Sequence, residues 1–529
     1  MQSLEDLMDD PYARECDFLD LEKDNEDPDD IPLYKIERLS DSNFEKKSVT
    51  EQLKSKPVVN KVEPETNHLS VYLEPEIDFF DEKNNSVDGI KLMQYLGNLG
   101  VARVAEEDTS FVHIKNGLVD NITQGQLQNL LMTQLKGDDK VLSALHENID
   151  RLFTKKKLAF IPEKEILILR DDKDTAFLPF KNGVLHITKD GHELIDYQDD
   201  TLIWKHQVID RSFKKDSGGD FEQFIRNTSS YPGLNQNDYK AKINTIGYLL
   251  HTYKDPSEAK CVVLTDASLL LDDHNMDHVN GQTGKSVFCE ALGYVRNLVR
   301  CDGKNIRIGL DRFALQNIKR DHQLILFDDA KKDFRFENLF HMITGGLTIE
   351  GKNKPKFSIP FKEAPKLIIT TNYPFEGDGE SYRGRQHVLE FSDFYNTRNK
   401  PMMVHGKRFF DDWDGTEWNK FDTFMAGCLQ QYLREGKLTQ NRSQNYELKK
   451  LKMPEFIRYA ENLPLGVKFN RKELFDVYSM VDEKMIPRTF NKSLAQYAKA
   501  KEYEINVHKK NGIDRDAKGN HFVTMTKIT

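Results

Sequence analysis

The chain has 529 residues, 38% of them apolar and 31% charged, which fits a soluble globular protein of three to four domains of about 150 residues each. No run approaches the ~18 apolar residues of a membrane span and the acidic start lacks a basic-then-apolar leader, so no membrane partner and a cytoplasmic location are expected. The net charge of −10 is unevenly spread: residues 1–30 hold thirteen acidic and two basic side chains, whereas residues 449–529 hold seventeen basic and ten acidic, so the C-terminal end is the one suited to phosphate backbones.

Residues 1–65 are acidic and polar with short apolar islands such as Phe18-Leu19, too little to offset ordering, and are expected to form a largely disordered arm. Residues 66–175 alternate helical spacing (Ile90, Leu92, Met93, Leu96; then Leu127, Leu130, Leu131, Leu135) with strand-like runs around Asn116-Gly117, a tight hairpin signal. They predict an N-terminal α/β accessory module. Glu76-Ile77-Asp78 is the nearest approach to the paired acids a polymerising primase needs for two metals. It lacks basic partners and reads as surface acid. Phe180 to Thr188 is a second hairpin signal, and residues 220–252 carry helical spacing, so 176–255 is a helical and strand region preceding the next domain. Cys16, Cys261, Cys289, Cys301 and Cys428 lack C-x-x-C spacing, which argues for a reducing compartment and against a zinc ribbon or a disulfide frame. His274 and His278 have the i,i+4 spacing of a metal pair but no evident third ligand, and read as a polar loop.

Residues 256–440 carry the densest chemistry. Cys261-Val-Val-Leu264 is strand-like, and Asn280-Gly281-Gln282-Thr283-Gly284-Lys285-Ser286 then opens a helix-patterned segment. Small residues let backbone N–H groups and the helix start face an anion. Lys285 would reach the β- and γ-phosphates of ATP, and Ser286 would bind Mg²⁺. Leu324 to Asp329 is a buried-strand run ending in two carboxylates, 43 residues beyond Lys285, and Lys366 to Asn372 is another ending in an amide, 44 residues further on. Polar groups at such strand ends face the ligand crevice. Asp328 would hold Mg²⁺, Asp329 would polarise the attacking water, and Asn372 would orient it or sense the γ-phosphate.

These phrases, NGQTGKS, LILFDDA, ITGGLTIEGKNKPKFSIPF, PKLIITTNYPF and YRGRQHVLEFSDFYN, with FKNGVLHIT upstream, resemble superfamily 3 helicases of the AAA+ class, and more closely the ATPase of phage and poxvirus primase-helicases. The resemblance covers roughly residues 175–435. Val279 where a loop Gly is usual, and Asp329 where many such ATPases carry Glu, depart from the pattern. The resemblance implies a collar for the region before the ATPase and a hexameric ring. It also implies a hairpin at 345–359 whose Lys352, Lys354 and Lys356 grip the DNA backbone inside the ring. Arg385, with Arg383 in reserve, would be the finger that a neighbouring subunit's nucleotide requires; both are expected in a Gly-rich loop. Trp413, Trp418, Phe421, Phe424, Leu429 and Leu433 read as core packing rather than a base-stacking row.

In residues 449–529 three helical patterns precede two strands, the order of a winged helix, as the family also suggests. Arg488, Lys492, Gln496 and Lys499 fall on one face of the third helix, as a major-groove reader needs. The expected fold is therefore multidomain α/β: a compact AAA+-like P-loop ATPase core with an N-terminal accessory module and a C-terminal winged-helix-like domain. The expected function is an ATP- and Mg²⁺-dependent helicase of viral or mobile-element replication, moving 3′ to 5′ by resemblance on single-stranded and forked DNA. A separate primase or replisome protein would be its partner. An origin-binding initiator whose ATPase governs assembly, and a primase-helicase with an unrecognised primase site, are the alternatives.

Overall fold

The structure is a computed structural model that describes residues 75–104, 111–198, 201–229, 237–267, 282–353, 355–375, 377, 379–439, 444–506, 509 and 513–527. By internal packing the chain divides into residues 1–56 and 57–529, and the described residues belong to the second unit. The acidic arm, His274, His278, Asn280, Gly281 and Lys354 lie outside the described residues.

At its centre is a five-stranded, all-parallel sheet. In chain order its strands are β1 (Cys261–Asp266), β2 (Leu298–Asp302), β3 (Leu324–Ala330), β4 (Lys366–Thr371) and β5 (Gln386–Phe391), and their spatial order is β2-β3-β4-β1-β5. Near-continuous apolar runs form the central strands β1, β3 and β4 because both of their faces are covered. Alternate residues serve opposite cores: Val262, Leu264, Leu326, Ile368 and Leu389 pack one way, while Cys261, Val263, Ile325, Phe327 and Ile369 pack the other. Each fully buried Val, Leu, Ile or Phe contributes about 1.5–3 kcal/mol, so a one-residue slip would be prohibitive.

The helix that follows Gly284, α1 (Lys285–Gly293), buries Phe288, Ala291 and Leu292 on the first face. The short helix α2 (Glu380–Arg385), between β4 and β5, packs Tyr382 on the second. Connections thus leave β4 and β1 on opposite faces, and the crevice between them at the carboxyl ends of the strands is a topological switch point.

The first face is completed by helices Asp220–Ser229, Asn237–Leu250 and Gly415–Glu435. The region expected as a collar therefore shares one core with the sheet. Trp413, Trp418 and Phe421 lie there in an aromatic cluster with Tyr294 and Phe410, in keeping with the packing role read from their spacing.

The N-terminal module holds helices Gly89–Asn98, Gln124–Gln134 and Asp139–Leu152 with its own core. Its hairpin, Phe111–Lys115 with Leu118–Ile122, turns at Asn116-Gly117, both with positive φ, as two-residue hairpin loops prefer. The module is not bounded at residue 175, because Ile203–Trp204 adds to its sheet beside Leu118 and Val119. Ile90, grouped with the buried face from its spacing, is 62% exposed, whereas Leu92, Met93 and Leu96 are buried. Glu76 and Asp78 are exposed and outside any strand.

Leu448 and described residues from there to Met525 share a separate core. Helices Pro454–Glu461, Arg471–Ser479 and Pro487–Ala500 are followed by strands Tyr503–Ile505, His521–Val523 and Met525–Lys527, and Phe469–Asn470 pairs antiparallel with His521–Val523. Among the described residues no helix is long and apolar enough to cross a membrane.

Candidate nucleotide-binding site

The site is assembled at the carboxyl ends of β1, β3 and β4. Gly284 caps α1 with φ of +101°, and a Cβ there would lie 2.6 Å from the Phe224 ring. Glycine is thus required both by backbone conformation and by close approach. No side chain caps the helix start, so its first N–H groups stay available to an anion.

Lys285 turns back toward the sheet. Its Nζ donates to Asn372 Oδ1 at 2.8 Å and to Asp266 Oδ1, which also accepts from Thr283 Oγ1 at 2.5 Å. The Asp266 and Lys285 side chains are 3% and 12% exposed. A buried ion pair of this kind is held by its hydrogen bonds as much as by charge.

The two carboxylates of β3 stand beside this cluster. The ladder to β4 shifts register between Phe327 and Ala330, and Asp329 takes φ of +57°. Thr370 spans the irregularity: its hydroxyl donates to Asp328 Oδ1 at 2.7 Å and accepts from Asp329 N at 2.6 Å. Arg300 approaches Asp328 Oδ2 at 3.3 Å and Lys304 approaches Asp329 Oδ2 at 2.5 Å, both from the β2 side.

Ser286 is exposed in the first turn of α1. Ser286 and Asp328 offer oxygen donors only, the type Mg²⁺ takes alongside phosphates and water. Among the described residues no group of three or more His, Cys, Asp or Glu could hold a metal on its own.

Arg383 and Arg385 lie on α2 rather than in a loop. Tyr382 is the reason: its ring packs against Phe336 at 5.8 Å and Phe340 at 5.1 Å, anchoring the turn. Arg385 stacks over Phe340 at 4.7 Å and donates to Ser381 Oγ at 2.5 Å, while Arg383 is exposed.

The expected hairpin is present as Gly346–Ile349 paired with Phe357–Pro360, with Lys352 and Lys356 exposed at its tip and Asn353 at φ of +58°. Arg312 pairs with Glu350, just past the tip-side end of the first strand, and Arg320 lies over Phe357. On helix Pro487–Ala500 the side chains of Arg488, Lys492, Gln496 and Lys499 are all exposed, while Phe490, Leu494, Tyr497 and Ala498 are buried.

Sequence reasoning missed Asp266, Thr370, Arg300, Lys304 and Lys449. The first was findable, since β1 runs two residues past Leu264 and ends in an acid, the same signal that singled out Asp328. The others join the site through pairing across strands or packing from a distant helix, and carry no local mark.

A family of unknown function, DUF5906, matches residues 279–385, from Val279 to Arg385. No curated protein matches. Among solved structures, the A form apo structure of the NrS-1 C terminal region is similar at 11% identity and a TM-score of 0.36, covering 83% of this chain and all of that one. A second, of NrS-1 residues 305–718, is similar at 12% identity and 0.37, with the same coverage. Neither likeness is close enough to fix a fold or an activity.

Proposed function

We propose that the chain is an ATP-hydrolysing DNA helicase that acts as a hexameric ring in viral or mobile-element replication. The observation that carries this reading is the meeting of Lys285 and Asn372, 87 residues apart, at 2.8 Å beside Asp328 and Asp329 at the switch point of a parallel sheet.

Lys285 and the N-terminal N–H groups of α1 hold the β- and γ-phosphates of ATP. Mg²⁺, when bound by Ser286 and Asp328, neutralises charge on the phosphate oxygens. Asn372 orients a water, Asp329 takes its proton, and the water oxygen bonds to the γ-phosphorus as the bond to the bridging oxygen of ADP breaks. Asp329 must exchange Lys304 for that water. Arg383 is the better finger of the two arginines, because Arg385 is held on its own chain by Ser381 and Phe340. Lys352 and Lys356 contact the backbone of the tracked strand without reading bases.

Phosphate release by the purified chain with ATP, Mg²⁺ and single-stranded DNA, compared with Lys285→Ala, tests this reading, alongside displacement of a strand from forked DNA and native mass with and without ATP. Turnover is expected to vanish in Lys285→Ala. Comparable turnover in that variant, or none in the parent, would overturn the assignment. The exposed face of Arg488, Lys492, Gln496 and Lys499 supports a second reading, a sequence-selective initiator. Strong sequence preference without strand displacement would favour it.

A further inference from the structure

Asp266 has no part in the phosphate-binding roles above, yet it is the residue that holds Lys285. Its carboxylate is buried, Oδ1 takes both the Lys285 ammonium and the Thr283 hydroxyl, and Oδ2 is buried without a hydrogen-bond partner. Lys285 is thus the cation bonded to that carboxylate. Lys449, also nearby, donates instead to the main-chain oxygen of Asp266 at 2.6 Å, which fixes where the acid stands.

We propose that Asp266 is a positioning residue that retains Lys285 against Asn372 until phosphate oxygens draw the ammonium away, and so sets nucleotide affinity and the release of Asn372. The inference rests on the nucleotide-site reading. Moving Lys285 out to a triphosphate leaves a buried carboxylate without its counter-ion, which is costly, so nucleotide binding works against the internal pair. Lys285 also occupies Asn372 Oδ1, the atom that would accept a hydrogen bond from the attacking water. One movement therefore fills the phosphate site and frees the amide.

Equilibrium binding of a fluorescent ADP with Mg²⁺ to the full chain tests this, using the parent, Asp266→Asn, Lys285→Ala and the double variant. Asp266→Asn is expected to bind about ten-fold tighter while melting at a lower temperature without nucleotide, and to change nothing in the Lys285→Ala background. Asp266→Glu, which restores the charge, should bring affinity back toward the parent's. Equal or weaker binding by a folded Asp266→Asn would overturn the proposal, as would tightening that persists without Lys285. If Asp266→Asn does not fold, Asp266→Ser is read in the same way. Failure of the parent to bind nucleotide would instead remove the nucleotide-site reading itself.

Discussion

Lys449 donates from Nζ to the main-chain oxygen of Asp266 at 2.6 Å, tying the helix Gln444–Lys449 to the end of β1. The same helix binds Ala267 O through Asn445 at 2.9 Å, Glu390 Oε1 through the Tyr446 N–H at 2.8 Å, and receives Phe375 N on the Tyr446 hydroxyl at 2.9 Å. It therefore touches the ends of β1, β4 and β5 just before the chain enters the C-terminal domain. Replacing Lys449 by Met keeps the packing and leaves a buried carbonyl unpaired, so a stability loss of about 1–3 kcal/mol is expected. Urea midpoints measure it, and an unchanged midpoint would show that the tie does not stabilise the fold.

Lys352 and Lys356, at the hairpin tip, are exposed. Lys352→Ala with Lys356→Ala should leave basal ATP turnover intact and weaken binding to single-stranded DNA. Each lost phosphate contact lowers the salt dependence of binding by about 0.7 in the log–log slope, so the pair should lower it by about 1.4. Fluorescence anisotropy across a salt series reads the slope, and an unaltered value would exclude the hairpin from the DNA path.

Arg383→Ala should reduce ATP turnover by about 10³-fold or more, the range for loss of a finger. Mixed with Lys285→Ala subunits it should recover part of that activity, because one variant supplies the finger and the other the phosphate loop. Arg385→Ala should lose stability and not recover on mixing, since its contacts are to Phe340 and Ser381 of its own chain. Recovery by Arg385→Ala and not Arg383→Ala would reverse the assignment.

His387, buried on β5, bonds Thr245 Oγ1 at 2.8 Å while that hydroxyl donates to Ala241 O, so the imidazole Nε2 is the donor. Burial pushes its pKa down to about 3, with Lys260 acting in the same direction. Below pH 6.5 the unfolded chain binds a proton that the native chain does not, so stability falls with falling pH. The loss is about 1.4 kcal/mol per unit, or about 2 kcal/mol between pH 6.5 and 5. His251, lowered to about 4 chiefly by burial, acts with the same sign. His387→Gln keeps a donor for Thr245 and removes one titration, so its stability should vary less over that range, as chemical denaturation at pH 7 and pH 5 will measure.

The strands that carry Asp328 and Asp329 and that end before Asn372 could be read from the chain alone because their marks are local. Three apolar runs ending in polar residues are recognisable without neighbours, and hydrophobic burial forces such runs into covered strands. The turn at Asn116-Gly117 and the apolar stripe of helix Pro487–Ala500 were legible for the same reason, since backbone conformation and side-chain period are properties of a few adjacent residues. Tertiary packing alone decided the strand order β2-β3-β4-β1-β5, the pairing of Ile203–Trp204 with a sheet some 80 residues earlier in the chain, and the partner of Lys285. An ammonium chooses among anions by distance in space and by burial, and neither is a function of position along the sequence.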